Sequence, residues 1–268
     1  MVGKTLPDEK VGKATLRIVM DGPIYRGTVL RDGKRGELME NTDLDRLRHH
    51  LREEAGKSDP DFWGVDAAIA RFLSFNPDGF ADPHYAERER AYKVAASELL
   101  CTMLPLDQAL DATAEQASSL AKVVSKTNLL SHQHEQQHMR TILGGVVGQK
   151  LVRASAEIAL GDFEGGLKTL RAIEHSVGRI SWPIATYLPF LWEPRSNMFL
   201  KPEVTQDFAR RVGHEFADSY EGALEPPVYT CLLDLVRVTE LQIASLRPQD
   251  RIDVQGFIWV VGKYVDGD

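Results

Sequence analysis

Residues 14–39 read ATLRIVMDGPIYRGTVLRDGKRGELM, and this stretch contains the one clear β pattern of the chain. Apolar and polar side chains alternate from Ala14 to Met20, as they do in a strand with one buried face. Asp21-Gly22-Pro23 and Asp32-Gly33 then supply turns, so the sequence predicts a three-stranded antiparallel meander. Three short strands are not stable alone, and we therefore expect this unit to pack on the rest of the chain.

From about Asn41 onward the periodicity of the apolar residues is helical. Leu44, Leu47 and Leu51 share one face of a first predicted helix, and further amphipathic segments follow. No repeat of 30–50 residues occurs, and no low-complexity linker divides the chain. The predicted fold is mainly α: a single multi-helix domain over residues 41–268, with a small N-terminal antiparallel β meander over residues 1–40.

The composition is that of an ordinary globular protein, with 268 residues, 43% of them hydrophobic, 26% charged, and a net charge of −7. It excludes wholesale disorder. Apolar runs stay below the roughly 18 residues of a membrane-spanning helix, and residues 1–10 lack the apolar core of a signal peptide. Cys101 and Cys231 lie among apolar residues, which suits a reducing compartment. We therefore expect a cytoplasmic protein with no membrane partner.

The sharpest chemical pattern is the H-E-x-x-H motif His134-Glu135-Gln136-Gln137-His138. Residues i and i+4 lie on one helical face, so two imidazoles could bind one metal ion while Glu135 acts as a catalytic base on bound water. The motif resembles the iron-binding helix of DinB-like helical bundles, including those of ergothioneine-type sulfoxide synthases. Zinc metalloproteases share it, but they imply a mixed α/β fold. Zn or Fe is the cofactor of this hypothesis, and no cofactor is predicted otherwise.

The spacing does not settle a third metal ligand. We take His50 as the first candidate, since it lies on the first predicted helix, and Glu157 would suit a gluzincin-like site. The other candidates are His49, His84, His175 and His214. In the competing interpretation, His134 and His138 belong to a stripe that begins and ends with the apolar residues Leu130 and Ile142, and they bind no metal.

Residues 181–202 read SWPIATYLPFLWEPRSNMFLKP and combine aromatic side chains with four prolines. Aromatic residues are enriched at the energetic centres of protein interfaces. The segment therefore supplies the predicted partner-binding residues, which are Trp182, Tyr187, Phe190, Trp192 and Phe199. The alternative is that these side chains fill the core around bends introduced by the prolines.

The first 37 residues are basic, with eight Lys or Arg against five Asp or Glu, in a chain that is acidic as a whole. A local basic patch of this kind could bind nucleic acid. The candidate nucleic-acid-binding residues are Lys10, Lys13, Arg17, Arg26, Arg31, Lys34 and Arg35. The alternative is that these side chains protect the edges of the sheet. Asp250 and Asp253, three residues apart, are interpreted as capping residues of a helix.

Two longer stretches resemble known sequences: RFLSFNPDGFADPHYAERERAYK at residues 71–93, and SWPIATYLPFLWEPRSNMFLKPEVT together with IDVQGFIWVVG near the C-terminus. Together they are similar to uncharacterised bacterial proteins that place a small β module before a helical body. The resemblance implies a bacterial, cytosolic, single folded unit. It implies no activity, cofactor or partner.

Three functions follow from these patterns, in order of preference. The first is a non-catalytic interaction or regulatory protein that binds a protein partner through its helical body, with the β unit as a second contact. The second is a metal-dependent enzyme that uses the H-E-x-x-H helix, and the third is a nucleic-acid-associated protein that uses the basic β unit. The chain contains no phosphate-binding loop, G-x-G-x-x-G, G-x-S-x-G or C-x-x-C motif, so an enzyme is not the leading expectation.

Overall fold

The computed structural model describes residues 3–11, 14–56 and 61–265. Its β region is one antiparallel sheet, in which β1 and β2 both pair with β3, β3 pairs with β4, and β4 pairs with β5. The strands are β1 Lys4–Thr5, β2 Glu9–Val11, β3 Ala14–Asp21, β4 Ile24–Arg31 and β5 Lys34–Asn41. The last three are the predicted meander. The sequence does not predict β1 and β2, because runs of two and three residues are too short to show alternation.

Both connections of the meander are two-residue turns: Asp32-Gly33, as the sequence predicts, and Gly22-Pro23, since Asp21 of the predicted first turn still belongs to β3. Asp32 and Gly33 have φ of 49° and 76°, and they join Arg31 to Lys34, the last pair of the β4–β5 register. Positive φ at both turn residues matches the twist of the flanking strands, and Asp-Gly suits that conformation. Local turn chemistry thus sets the register of the sheet.

The rest of the described chain is mainly helical, which confirms the predicted fold class. The helices are α1 Leu44–Gly56, α2 Val65–Phe75, α3 Pro83–Tyr85, α4 Ala91–Met103, α5 Leu106–Ala109, α6 Ala114–Ser119, α7 Ala121–Val124, α8 Glu135–Leu143, α9 Gly148–Ala159, α10 Phe163–Val177, α11 Trp182–Trp192, α12 Pro202–Arg211, α13 Phe216–Ser219, α14 Pro226–Gln242 and α15 Arg251–Lys263. A π-helical turn, Ala86–Arg90, joins α3 to α4, and 3-10 turns lie at Gly79–Ala81 and Ala244–Leu246. Among the described helices, none is both long and apolar enough to cross a membrane.

The buried apolar residues form two separate clusters. The larger one runs through the helical body from α2 to α15. The smaller one lies between the sheet and α1, where Leu16, Ile18 and Val29 pack against Leu47 and Leu51. The first helix therefore shares its core with the sheet, although the sequence analysis places it with the body. We call residues 3–56 of the described chain, the sheet with α1, the β unit.

Ion pairs and polar contacts lie between the β unit and the body. Arg52, only 3% exposed, donates a 2.8 Å hydrogen bond to Glu9 and lies 3.9 Å from Asp234 of α14. Arg237 connects Asp234, at 2.9 Å, with Asp45 of α1, at 3.2 Å. Since these partners come from both units, we call this contact region the polar seam.

Candidate functional site

The H-E-x-x-H residues lie at the beginning of α8, and Glu135 and His138 are hydrogen-bonded to other parts of the protein. His134 is the exposed N-cap residue, one position before the helix. Glu135 accepts hydrogen bonds from the backbone N–H of Ser131 at 2.7 Å and from Lys201 Nζ at 2.8 Å. His138 donates from Nε2 to the carbonyl oxygen of Val177 at 2.8 Å.

The metal-site prediction takes His134, His138 and His50 as ligands and Glu135 as catalytic base. Within the part of the chain that the structure describes, no three His, Cys, Asp or Glu side chains come together as a metal site. His50 is exposed on α1, in the β unit. The Glu135 carboxylate, at the first position of α8, is already bound to the Ser131 N–H and to Lys201. The spacing of the motif is present, but its histidines do not meet a third ligand.

The aromatic segment forms α11 and the chain after it, and it is buried. Exposure is at most 4% for each of the five predicted partner-binding residues, Trp182, Tyr187, Phe190, Trp192 and Phe199. Both indole N–H groups are bound internally, to the carbonyl oxygens of Glu221 and Leu104, each at 2.9 Å. A side chain without exposed surface cannot contact a partner, so this structure places the five residues in the core. The alternative interpretation of this segment describes them better.

Two of the basic candidates, Arg17 and Arg26, are neutralised by carboxylates of the β unit. Arg17 binds Asp8 through two hydrogen bonds of 3.0 and 2.5 Å, and this contact lowers the pKa of the Asp8 carboxyl group. Arg26 pairs with Asp21 at 2.6 Å and with Glu40 at 2.8 Å. Such exposed pairs add little stability, but they reduce the positive potential of the surface.

The other basic candidates of the β unit differ in their surroundings. Arg31 pairs with Glu54 at 3.9 Å and donates to its carbonyl oxygen. Exposed side chains without a charged partner among the described residues are those of Lys10, Lys34 and Arg35. Lys13 lies outside the described residues. The one aromatic residue of β1–β5, Tyr25, packs against the small core, so the open face of the sheet has no ring on which a base could stack.

The most accessible feature of the β unit is its last strand. β5 pairs with β4 on one side, and no described strand covers its other side. Residues 34–38 and 40 are exposed, and Leu38 is 60% exposed. An uncovered edge presents backbone N–H and C=O groups that can bind another extended chain. β5 is therefore the candidate interface of this protein.

A cluster of charged side chains is buried where residues 71–93 meet α15. These are two of the stretches that resemble known sequences. Lys93 of α4 is fully buried and donates to Glu89 at 3.1 Å, and Glu89 also accepts from the Tyr264 hydroxyl at 2.9 Å. The opposing part of α15 holds Asp253, also fully buried, which accepts hydrogen bonds from Tyr85 and from Arg90, each at 2.9 Å. Glu89 and Arg90 belong to the π-helical turn Ala86–Arg90.

Burial changes the ionisation of this cluster. It lowers the pKa of Lys93 and raises the pKa of Tyr85. Perturbed groups of this kind often mark functional sites, but structural ion pairs produce them too. Because Lys93 has a partner and no exposed surface, we interpret the cluster as structural. It joins the start of α4 to α15.

The sequence analysis did not predict this cluster, because the partners are far apart in the chain. It assigned Asp250 and Asp253 to helix capping. Asp250 does cap α15, through a 2.9 Å hydrogen bond from the backbone N–H of Ile252. It also binds Arg90 through two hydrogen bonds of 2.8 Å. The run Glu87-Arg88-Glu89-Arg90 gives no signal for burial, because alternating charges are typical of a solvent-exposed helix.

The chain matches no protein-family model, and comparisons with curated proteins and with solved structures found no significant similarity. The resemblance of residues 71–93 and of the C-terminal stretches to bacterial proteins therefore stays a prediction.

Proposed function

We propose that this protein is a non-catalytic interaction protein that binds an extended segment of a protein partner along the free edge of β5. The observation that carries the proposal is the exposure of this strand, with Leu38 60% exposed at its middle. An extended segment added to such an edge gains backbone hydrogen bonds, and its alternate side chains supply specificity. The helical body then acts as the scaffold that holds the β unit.

The side chains of β5 define the chemistry of the partner. Leu38 lies opposite Thr28 in the register, and Arg35 lies opposite Leu30. Thr28 and Leu30 alternate along β4 with residues whose side chains face α1, so their own side chains are on the opposite, open face of the sheet. Residues paired across neighbouring strands share a face, so Leu38 and Arg35 are on the open face too. Because Arg35 has no acidic partner among the described residues, the fitting segment has an apolar residue beside Leu38 and an acidic residue beside Arg35.

Two matched leucine variants test this proposal. Leu38→Lys adds a charge to the edge strand, and Leu160→Lys adds the same charge at a leucine of the helical body that is 56% exposed. Each tagged variant and the wild type are used to capture proteins from a lysate of the source cells. We expect a stoichiometric partner with the wild type and with Leu160→Lys, and its loss with Leu38→Lys.

Hydrogen exchange then locates the contact. Addition of the purified partner is expected to slow amide exchange in β5, with no comparable change on α9 or α10. Equal capture by both variants, or no stoichiometric partner of the wild type, would overturn the proposal.

A further inference from the structure

A second accessible feature lies in the helical body, away from the sheet. It is a cleft of about 520 Å³ that opens where α11 and α12 begin, beside α8 and α15. Its size is in the range of small-molecule sites. The cleft is independent of the interface proposed at β5.

The charges of this cleft differ in sign from those of the whole chain. Arg179, Lys201 and Lys263 line it, against two carboxylates, those of Glu135 and Glu203. The chain as a whole has a net charge of −7. A formally positive cleft in an acidic protein concentrates anions from solution.

The three cations are not all held by acidic partners. Lys201 donates to Glu135 at 2.8 Å, but this carboxylate also binds the backbone N–H of Ser131. Arg179 donates to the carbonyl oxygen of Gly222 at 2.8 Å, an uncharged group that leaves its charge uncompensated. Lys263 is exposed and has no carboxylate partner in the described part of the chain.

Two helices also direct their N-termini at the cleft. α11 begins after Ser181 and α12 after Lys201, and neither N-cap side chain accepts a hydrogen bond from its own helix. The Ser181 hydroxyl oxygen is buried and has no hydrogen-bond partner among the described residues. Uncapped first turns carry partial positive charge, which favours a bound anion, although Pro183 and Pro202 leave each first turn with one N–H fewer.

Aromatic side chains form part of the wall. Tyr220 and Trp259 are half-buried and line the cleft beside the basic groups. The buried ring of Trp182 lies at the same site, and its N–H is occupied by the carbonyl oxygen of Glu221. Partly exposed rings next to cations suit a ligand that has both an anionic group and a planar apolar part.

We infer that this cleft binds a small aromatic anion, a phosphate monoester or a carboxylate. Its anionic group lies near Arg179, Lys201 and the first turns of α11 and α12, and its ring lies against Tyr220 and Trp259.

Four probes separate the contributions of charge and ring. Phenyl phosphate and benzoate carry both, inorganic phosphate carries only the charge, and benzyl alcohol carries only the ring. Binding to the full chain is followed by titration calorimetry and by the fluorescence of the tryptophans that line the cleft. We expect phenyl phosphate or benzoate to bind at least about tenfold more tightly than inorganic phosphate and benzyl alcohol. The comparison of the two aromatic anions identifies the anionic group.

Matched charge variants locate the binding. Arg179→Gln/Lys263→Gln removes two exposed cations of the cleft, and Lys168→Gln/Arg195→Gln removes two exposed cations elsewhere. The first pair is expected to weaken binding of the aromatic anion with the higher affinity by about tenfold or more. The second pair is expected to leave that affinity unchanged. Trp259→Leu tests the wall, with near-UV circular dichroism as the check of folding. It is expected to remove the preference for aromatic anions over inorganic phosphate.

Three results would overturn the inference. One is that neither phenyl phosphate nor benzoate binds at 10 mM. Any binding free energy would then be smaller than about 3 kcal/mol. Another is equal weakening by both pairs of charge variants, which would indicate attraction by net charge alone. The third is equal binding of all four probes, because a specific site needs both parts of the ligand.

Discussion

Buried at the polar seam, His214 is held in one protonation state by its two hydrogen bonds. Its Nδ1 accepts the backbone N–H of Phe216 at 3.1 Å, so its Nε2–H donates to Asp234 at 3.2 Å. A ring with one accepting nitrogen is neutral. Burial lowers the pKa of His214, and the hydrogen bond from His214 lowers the pKa of the Asp234 carboxyl group.

Protein stability is therefore expected to depend on pH through His214. Because the folded-state pKa is lowered, the unfolded chain takes up the proton first, and the free energy of unfolding falls as pH drops below the ordinary value of 6.5. This loss of stability is complete once the pH has fallen below the folded-state pKa of His214. The Asp234 carboxyl group affects the free energy of unfolding at lower pH. Its stabilising contribution is present above the ordinary pKa of 3.8 and is lost as the pH falls through its folded-state pKa.

Urea unfolding between pH 7.5 and pH 5 measures the histidine effect. The slope due to His214 is at most about 1.4 kcal/mol per pH unit. We expect His214→Gln to flatten the curve below pH 6.5, since a neutral amide can make both hydrogen bonds. His132→Gln, at an exposed histidine, is the control and should keep the wild-type slope. An unchanged slope in His214→Gln would contradict the assignment.

The buried pair of Lys93 and Glu89 leads to a second prediction at the residue scale. Lys93→Met leaves the Glu89 carboxylate buried without its ammonium partner, and we expect a loss of about 3 kcal/mol in the free energy of unfolding. Adding Glu89→Gln neutralises that group, so the loss in the double variant should be at least about 1 kcal/mol smaller than the sum of the two single losses. Lys126→Met, at an exposed lysine, should change stability little. Additive losses would show that the pair does not interact.

At the scale of elements, the contact of α1 with the sheet depends on Gly27 in the middle of β4. A Cβ atom at this position would overlap the side chain of Leu51 on α1 and come within 3.3 Å of Ile18. The absence of a side chain thus lets the helix lie close to the sheet, and Leu51 fills the space above Gly27.

We therefore expect Gly27→Ala to destabilise the β unit by about 2 kcal/mol, because it overpacks the small core. Hydrogen exchange followed by mass spectrometry should show faster exchange in β3–β5 and α1, with little change in α9–α11, whose side chains belong to the other cluster. Gly144→Ala is the control, because a Cβ atom there stays at an ordinary distance of 3.4 Å from its nearest neighbour. Equally faster exchange in both units would show that they unfold together.

At the scale of the whole molecule, the two apolar clusters are joined by the polar seam. Removal of the β unit exposes charged groups such as Asp234 and Arg237 of α14, and it leaves the large cluster intact. The body should therefore remain folded without the β unit.

A fragment of residues 61–268 tests this expectation. We expect it to keep the near-UV circular dichroism of the body and a single cooperative thermal transition. Residues 1–248 form the control fragment, which lacks α15 and its buried side chains, among them Phe257 and Val260, and it should fail to fold. An unfolded 61–268 fragment would show that the β unit is needed for the fold of the body.

Sequence and structure agree most closely where contacts are local. Alternation from Ala14 to Met20 and the Asp32-Gly33 turn predict β3 to β5, because strand pleat and turn conformation depend on neighbouring residues. The motif at residues 134–138 shows the limit of such reasoning. Spacing predicts which residues share a helical face, whereas the partners of Glu135 and His138 lie 66 and 39 residues further along the chain.

The sequence by itself determined the fold class and the three-stranded meander with its two turns. Only the tertiary structure decided which side chains are buried. The apolar residues of α11 could face a partner or the core, and neighbouring helices on all sides cover them. The pairing of Arg90 with Asp253 joins residues 163 positions apart. Such contacts depend on how the elements pack, because burial and long-range ion pairs are set by the whole fold and leave little trace in local spacing.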